Sequence, residues 1–167
     1  MQSNEADLGE AFKSVFRVHP AAVTIITAHT PDGPVGLTAS SVSSVAAVPP
    51  AVSFSVTRAT GTAGAILGAD NLSIHFLTPA HAHVAKQFSF TGGERFTPEQ
   101  GWTFDAEGNA TLAGSRATLR GRIRDTLRVS DSALVVADII DVSAAIDGEA
   151  LLYENRVFYA FDRSASA

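Results

Sequence analysis

Hydroxyl side chains crowd two neighbouring stretches of this sequence. Thr38, Ser40, Ser41, Ser43 and Ser44 fall within GLTASSVSS, and Ser55 and Thr57 fall within AVSFSVT. Arg58, Thr60 and Thr62 follow directly in RATGT. Hydroxyls on strands often do no more than pair with a neighbouring strand. An apolar strand rarely needs so many, and the small residues among them leave room for a planar ring against the backbone. On an extended chain Thr38 and Ser40 share one face, while Ala39 and Ser41 share the other. Two such strands side by side offer N–H groups, small side chains and hydroxyls to a flat polar ligand. A cation among threonines then holds a phosphate. The chemistry these residues point to is the binding of a phosphate-bearing aromatic cofactor.

Other reactive residue types carry weaker signals. The chain has no GxGxxG, P-loop, GxSxG or HExxH motif, so acyl or phosphoryl transfer by those routes has no support. His81 and His83 form an H-x-H pair, but that spacing at a helix start points the rings apart and supplies too few metal ligands. They read as solvated histidines, and no metal is expected. His75 alternates with Ile74 and Phe76 and reads as a satisfied, partly buried histidine. Arg116, Arg120, Arg122 and Arg124 share one face of an alternating segment. That row can attract a phosphate. A charge pattern without a motif reads more simply as a solvated face, or a dimer interface matched by acids.

Composition sets the frame for these residues. A chain of 167 residues with 46% apolar content favours one domain with a sizeable core. Charged residues make up only 17%, which points to surface covered by a second subunit or a ligand. A net charge of −5 argues against nucleic acid and against an anionic membrane surface. The absence of Cys excludes disulfides, thiolate nucleophiles and Cys-based metal sites, and suits a cytoplasmic protein. No signal peptide or membrane-length apolar run is visible.

The elements that must position the hydroxyls are mostly strands. Residues 5–17 are expected as a helix, with Leu8, Phe12, Val15 and Phe16 on one side, covering an opening of a β-structure. Strands are expected at 22–29, 35–45, 51–57, 71–77, 115–128 and 133–142, with a closing hairpin of 151–153 and 157–161. Pro31 to Pro34 and Pro49-Pro50 mark turns. Short helices are expected at 61–68 and 79–90, and residues 91–115 read as a long irregular loop. Many short strands with few helices predict a mainly β, antiparallel barrel.

GLTASS, followed after about ten residues by PPAVSFSVTRATGT, resembles the flavin reductase-like family of FMN-binding split barrels. FRVHPAAVTIITAHTPDGPVG resembles that family's opening hairpin. Lys86-Gln87-Phe88 with Glu94-Arg95-Phe96 resembles its Arg-Phe helix end, and Leu151-Leu152-Tyr153 with Asn155-Arg156 its last hairpin. The resemblance spans roughly residues 11–161. It implies an antiparallel split barrel of Greek-key type, and a homodimer that binds FMN or FAD. It implies reduction of that flavin by NADH or NADPH, often to feed a partner monooxygenase. By resemblance Leu37, Thr38, Ala39, Ser40 and Ser41 line the ring and ribityl chain. Ser55 and Thr57 meet the ring edge, Arg58 and Thr60 hold phosphate, and Phe88 borders the ring or nicotinamide. Such chemistry needs no protein acid or base, so no catalytic side chain is assigned.

The chain departs from the family in two places that matter, the run Ser130 to Ala137 and Glu154 of the last hairpin, where a His or Tyr is frequent. Many relatives carry Asp-His before a Val-Val-x-Gly strand, with the His near the nicotinamide. Here Ser132 stands at the His position and Ala137 at the Gly. The departures keep open a flavin-binding barrel without nicotinamide turnover. An oxidase of the pyridoxamine-phosphate type is a further alternative, with the arginine row as its second phosphate site.

Overall fold

The β-branched run Thr24-Ile25-Ile26-Thr27 is buried on both faces, and the barrel is built outward from it. A computed structural model describes residues 2–143, 147–162 and 164. In chain order its elements are α1 (Gln2–Arg17), β1 (Ala21–Ala22), β2 (Thr24–Thr30), β3 (Gly33–Ala39), β4 (Ser43–Ala47), β5 (Pro50–Val56), α2 (Gly61–Leu67), β6 (Leu72–Phe76), α3 (Ala82–Phe88), β7 (Trp102–Phe104), β8 (Ala110–Leu112), β9 (Ala117–Val129), β10 (Ser132–Val142), β11 (Leu151–Glu154) and β12 (Val157–Ala160). A seven-stranded sheet runs β3-β2-β6-β9-β10-β5-β4, and every pairing in it is antiparallel. β1, β11 and β12 form a smaller sheet, and β7 pairs with β8. This is the expected mainly β, antiparallel split barrel.

Two apolar clusters fill it. One lies inside the large sheet around Ile26, Phe54, Ile66, Ile74 and Val135. The other joins Val23, Ile25, Leu77, Val84, Phe88, Trp102 and Leu151 beneath α3 and the small sheet. Gly36 on β3 is where β3 and α3 press together. A Cβ there would lie 2.7 Å from Phe88 Cε1, so only a glycine lets the Phe88 ring reach its place.

Four expectations are corrected. First, residues 35–45 are not one strand. β3 ends at Ala39, and β4 begins at Ser43 on the opposite edge of the sheet. Period-2 patterning cannot reveal such a jump, because both halves remain extended. Second, α1 covers no opening of its own barrel. Its Leu8, Phe12, Val15 and Phe16 are 58–69% exposed. Helical periodicity says that a face wants cover but not what supplies it. Third, residues 91–115 contain the β7–β8 hairpin, which buries Trp102, Ala110 and Leu112 against the second cluster. Fourth, 79–90 is a 3₁₀ turn at Pro79–His81 followed by α3, which ends at Phe88.

His81 also departs from its expected solvated state. It is 6% exposed, and its Nδ1 accepts from Thr78 N at 3.1 Å. Nε2 must then carry the proton, and it donates to the Ala113 carbonyl at 2.9 Å. His83 is exposed. No group of three metal-ligating side chains is found among the described residues. No helix among them is long and apolar enough to cross a membrane.

Candidate functional site

The arginine row proves to be structural. Arg120 pairs with Asp105 at 3.0 Å, Arg124 with Asp138 at 2.7 Å, and Arg122 donates to Asn71 Oδ1 at 3.1 Å. Arg116 donates to the Gly148 carbonyl at 3.1 Å. A bulge in β9 opposite Val136 and Ala137 breaks the strict alternation and brings Arg124 to Asp138. Each guanidinium has a partner, which leaves none of the row free for a phosphate.

The hydroxyl stretches meet at the split of the barrel. β3 and β4 lie at opposite ends of the sheet, yet the chain passes between them through residues 40–42 alone. That short link draws the end of β3 toward the end of β5. β4 pairs with β5 only from Pro50 to Ser53, so Ser55 has no strand partner on that side. The Ser41 side chain fills the gap. Its Oγ accepts from Ser55 N at 2.9 Å and donates to the Ser55 carbonyl at 3.2 Å. One hydroxyl thus extends the ladder past the end of β4. Ser41→Ala removes both bonds, and a loss of about 1–2 kcal/mol in urea unfolding is expected. An unchanged midpoint would mean that the split is held by other contacts.

A cavity of about 800 Å³ opens over this split. Its walls include Leu37, Thr38, Ala39, Ser40 and Ser41 from β3 and the link, and Ser55, Thr57, Arg58 and Thr60 from β5 and the turn beyond it. These are the nine residues singled out in the sequence as cofactor ligands. Phe88 lines the cavity as well, although it is 1% exposed and packs edge-on to Phe96 at 5.1 Å. Ser132 is not among the lining residues. It starts β10, next to the Ala133–Val56 pair, and its hydroxyl donates to the Asp131 carboxylate at 3.4 Å.

The hydroxyls divide into two groups that the sequence does not distinguish. Thr38 donates to the Ala85 carbonyl at 2.6 Å and so ties β3 to α3, while Ser41 closes the split. Among the described residues, the Ser40, Ser55, Thr57 and Thr60 hydroxyls have no protein partner. These four are available to a ligand.

Arg58 is the cation at one end of the cavity. Its φ of 51° lies in the left-handed region, which is uncommon outside glycine. The turn is held by main-chain bonds: Ala59 N to Asp131 O at 2.8 Å, and Thr60 N to Arg58 O at 2.6 Å. Arg58 makes no ion pair among the described residues.

The sequence reading assigned no role to a second cation, Arg95. It lines the cavity from the segment after α3, and its guanidinium lies 5.6 Å from the Phe88 ring centroid. Nη2 donates to the Phe90 carbonyl at 2.8 Å, which fixes the Phe90–Gly93 turn at the cavity edge. Its buried Nε has no partner among the described residues, and burial holds its pKa below the usual arginine value. The Glu94-Arg95-Phe96 run was its only signal in the sequence.

A cavity with free hydroxyls, two arginines and an aromatic floor suits an anionic ligand with a planar ring. Comparison with known proteins agrees. Residues 16–162 match the family model described as flavin reductase like domain. An NADH:FMN oxidoreductase of Rhodococcus qingshengii is 34% identical over 152 residues, covering 89% of this chain and 79% of the relative. A 4-hydroxyphenylacetate 3-monooxygenase reductase component of Pseudomonas aeruginosa is 27% identical over 153 residues, covering 90% of both chains. The crystal structure of a flavin reductase domain protein from Arthrobacter sp. FB24 superposes with a TM-score of 0.83 at 28% identity, covering 92% of this chain and 96% of that one. With a barrel split and closed as described, and a family model spanning nearly its whole length, the chain belongs to the flavin reductase-like domain family.

Proposed function

We propose that the protein is an NAD(P)H-dependent flavin reductase that reduces FMN or FAD with NADH or NADPH and supplies the reduced flavin to a partner monooxygenase. The observation that carries this reading is the cavity over the barrel split. It gathers Leu37 to Ser41, Ser55, Thr57, Arg58 and Thr60, and leaves four of their hydroxyls without a protein partner among the described residues. Such a volume is in the range of cavities that hold cofactors, roughly 300–1,000 Å³. The activities and monooxygenase association named for the relatives in Rhodococcus and Pseudomonas support the same assignment.

The residues present fit a flavin. Leu37 and Ala39 would flank the ring with small apolar surface, and Ser40 and Ser55 would bond its polar edge or ribityl chain. Arg58 and Thr60 would hold the phosphate. A bound flavin supplies the hydride acceptor for a nicotinamide donor. The protein's part is to orient the two rings and exclude water. Phe88 does this from below, fixed by Phe96 and Trp102. We further read residues 1–167 as one domain, acting in the cytoplasm as a homodimer. The exposed apolar residues of α1, with Leu127, Leu134 and Ile140 on β9 and β10, support a second copy as their cover. Sedimentation of the purified protein tests that reading.

NADH and NADPH oxidation measured with added FMN or FAD tests the activity, and no flavin-dependent turnover with either donor would sink it. Ser132 bears on its rate. The Ser132→His variant restores the histidine of many relatives and is expected to raise turnover with the nicotinamide donor about tenfold. An unchanged kcat would remove position 132 from the nicotinamide side of the site.

A further inference from the structure

The segment after α3 carries two features that cost stability. Phe96 has a φ of 60°, in the left-handed region that bulky residues rarely adopt. Its neighbour Arg95 has a buried Nε with no hydrogen-bond partner among the described residues. Such costs persist where they hold a site in place. Here both side chains close on one ring. The Arg95 guanidinium lies 5.6 Å from the Phe88 centroid, and Phe96 meets Phe88 edge-on at 5.1 Å. Consecutive side chains of an extended chain point to opposite faces, so two neighbours reach one ring only where the backbone turns. The left-handed Phe96 makes that turn. The rest of the segment is pinned as well. Arg95 Nη2 donates to the Phe90 carbonyl at 2.8 Å, and Nη1 to the Gly93 carbonyl at 3.4 Å. Glu94 N donates to Gln87 Oε1 at 3.0 Å, and Gln100 Nε2 to the Glu94 carbonyl at 2.9 Å. Gly93 lies so close to α3 that a Cβ there would run into the Gln87 carbonyl.

We infer that Arg95 is a positioning residue for the flavin ring, acting through Phe88 and the Phe90–Gly93 turn by the shape of its fork. One side chain ties together the parts of the cavity that come from this segment: Phe88, its floor, and Phe90 and Thr91, its rim. Gly36 and Trp102 bound the Phe88 ring from β3 and β7, and Arg95 bounds it from the rim side. A planar guanidinium lies on a ring and still aims donors at two carbonyls, which the point charge of a lysine does not reproduce. Recognition then falls into two separate halves, the phosphate held by Arg58 and the ring by the Arg95 clamp. This inference rests on the flavin reading of the cavity.

Arg95→Lys and Arg95→Met test it, with FMN and riboflavin affinity read by fluorescence titration. Both variants are expected to lose about tenfold for FMN and riboflavin alike. Visible circular dichroism of the bound flavin, a signature of ring orientation, is expected to change at saturation in both. Wild-type affinities in Arg95→Lys would make charge the agent and overturn the inference. A loss for FMN alone would make Arg95 a phosphate contact, and unchanged affinities or an unchanged flavin spectrum would leave the ring positioned by other groups; each overturns it. Gln87→Ala releases Glu94 N from the same segment and carries the test if the Arg95 variants fail to fold. It is expected to lose about threefold for both ligands, and no loss overturns the inference. Trp102, the one tryptophan of the chain, packs on Phe88 and Phe96 and reports on the clamp without flavin. If the wild-type protein binds neither flavin, the functional reading fails, and Trp102 still decides the clamp. Greater quenching of its emission by acrylamide in Arg95→Met supports the clamp, and equal quenching overturns it.

Discussion

Arg58→Ala is expected to weaken FMN binding about tenfold to a hundredfold while leaving riboflavin binding unchanged. The two ligands differ only in the phosphate, so the difference isolates the contact assigned to Arg58. A charge-assisted hydrogen bond to a phosphate contributes about 1.5–3 kcal/mol, which sets that range. The substitution leaves the turn in place for two reasons. Main-chain bonds from Ala59 and Thr60 hold it, and alanine meets the same left-handed backbone cost that Arg58 already bears. Fluorescence titration with each ligand at two salt concentrations makes the measurement, and the FMN loss should shrink as salt rises. Equal losses for FMN and riboflavin would place Arg58 at the ring instead. No loss for either would move the phosphate elsewhere, with Arg95 the next cation lining the cavity.

His75 governs the second large effect, which is on stability against acid. The imidazole is fully buried between two threonines. Thr27 Oγ1 lies 3.0 Å from Nε2, and Thr118 Oγ1 lies 3.3 Å from Nδ1. Hydroxyls donate or accept, so the neutral ring is satisfied in either tautomer. Trp102 closes over it edge-on at 5.2 Å. Burial pushes the His75 pKa down to about 3, with Arg120 and His81 adding to the effect. In the unfolded chain the same group titrates near 6.5. Between those values the unfolded state binds a proton that the folded state refuses. The stability from keeping His75 neutral is therefore fully present above pH 6.5, and is lost as pH falls toward 3. Between pH 7 and pH 5 the loss comes to about 2 kcal/mol. His75→Gln is expected to be less stable at pH 7, because one threonine loses its partner, and to lack most of that pH dependence. Urea unfolding of both proteins at pH 7 and pH 5 decides this. Parallel losses in the two proteins would assign the acid sensitivity to other groups.

These two residues mark different limits of what a sequence discloses. Arg58 is legible because its neighbours are local. A cation and threonines within five residues of a strand end can be picked out from the chain alone as a candidate phosphate site. His75 is legible only as a histidine in an apolar strand. Its neutral state depends on Thr27 and Thr118, which lie 48 and 43 residues away in the chain. The arginine row shows the same limit from the other side. Its alternation is plain in the sequence, but its acids, Asp105 and Asp138, arrive from the β7–β8 turn and from β10.

Local chemistry determined the strands, the Pro-Asp-Gly hairpin, the mainly β class and the hydroxyl-rich stretches, because period-2 alternation and turn residues act over a few positions. Tertiary structure decided everything that depended on who stands beside whom. It cut the expected 35–45 strand in two and sent its halves to opposite edges of the sheet. It built the β7–β8 hairpin, whose Trp102, Ala110 and Leu112 pack into the second cluster, from residues that read as loop, because the burial that stabilises a three-residue strand comes from outside that strand. It left the apolar face of α1 uncovered by its own barrel. It also sorted five hydroxyls from one another. Ser41 became a rung of the sheet, while Ser40, Ser55, Thr57 and Thr60 were left to the cavity. A hydroxyl on a strand has the same intrinsic chemistry in both cases. Only the distance to the nearest unpaired backbone group decides whether it serves the fold or the ligand.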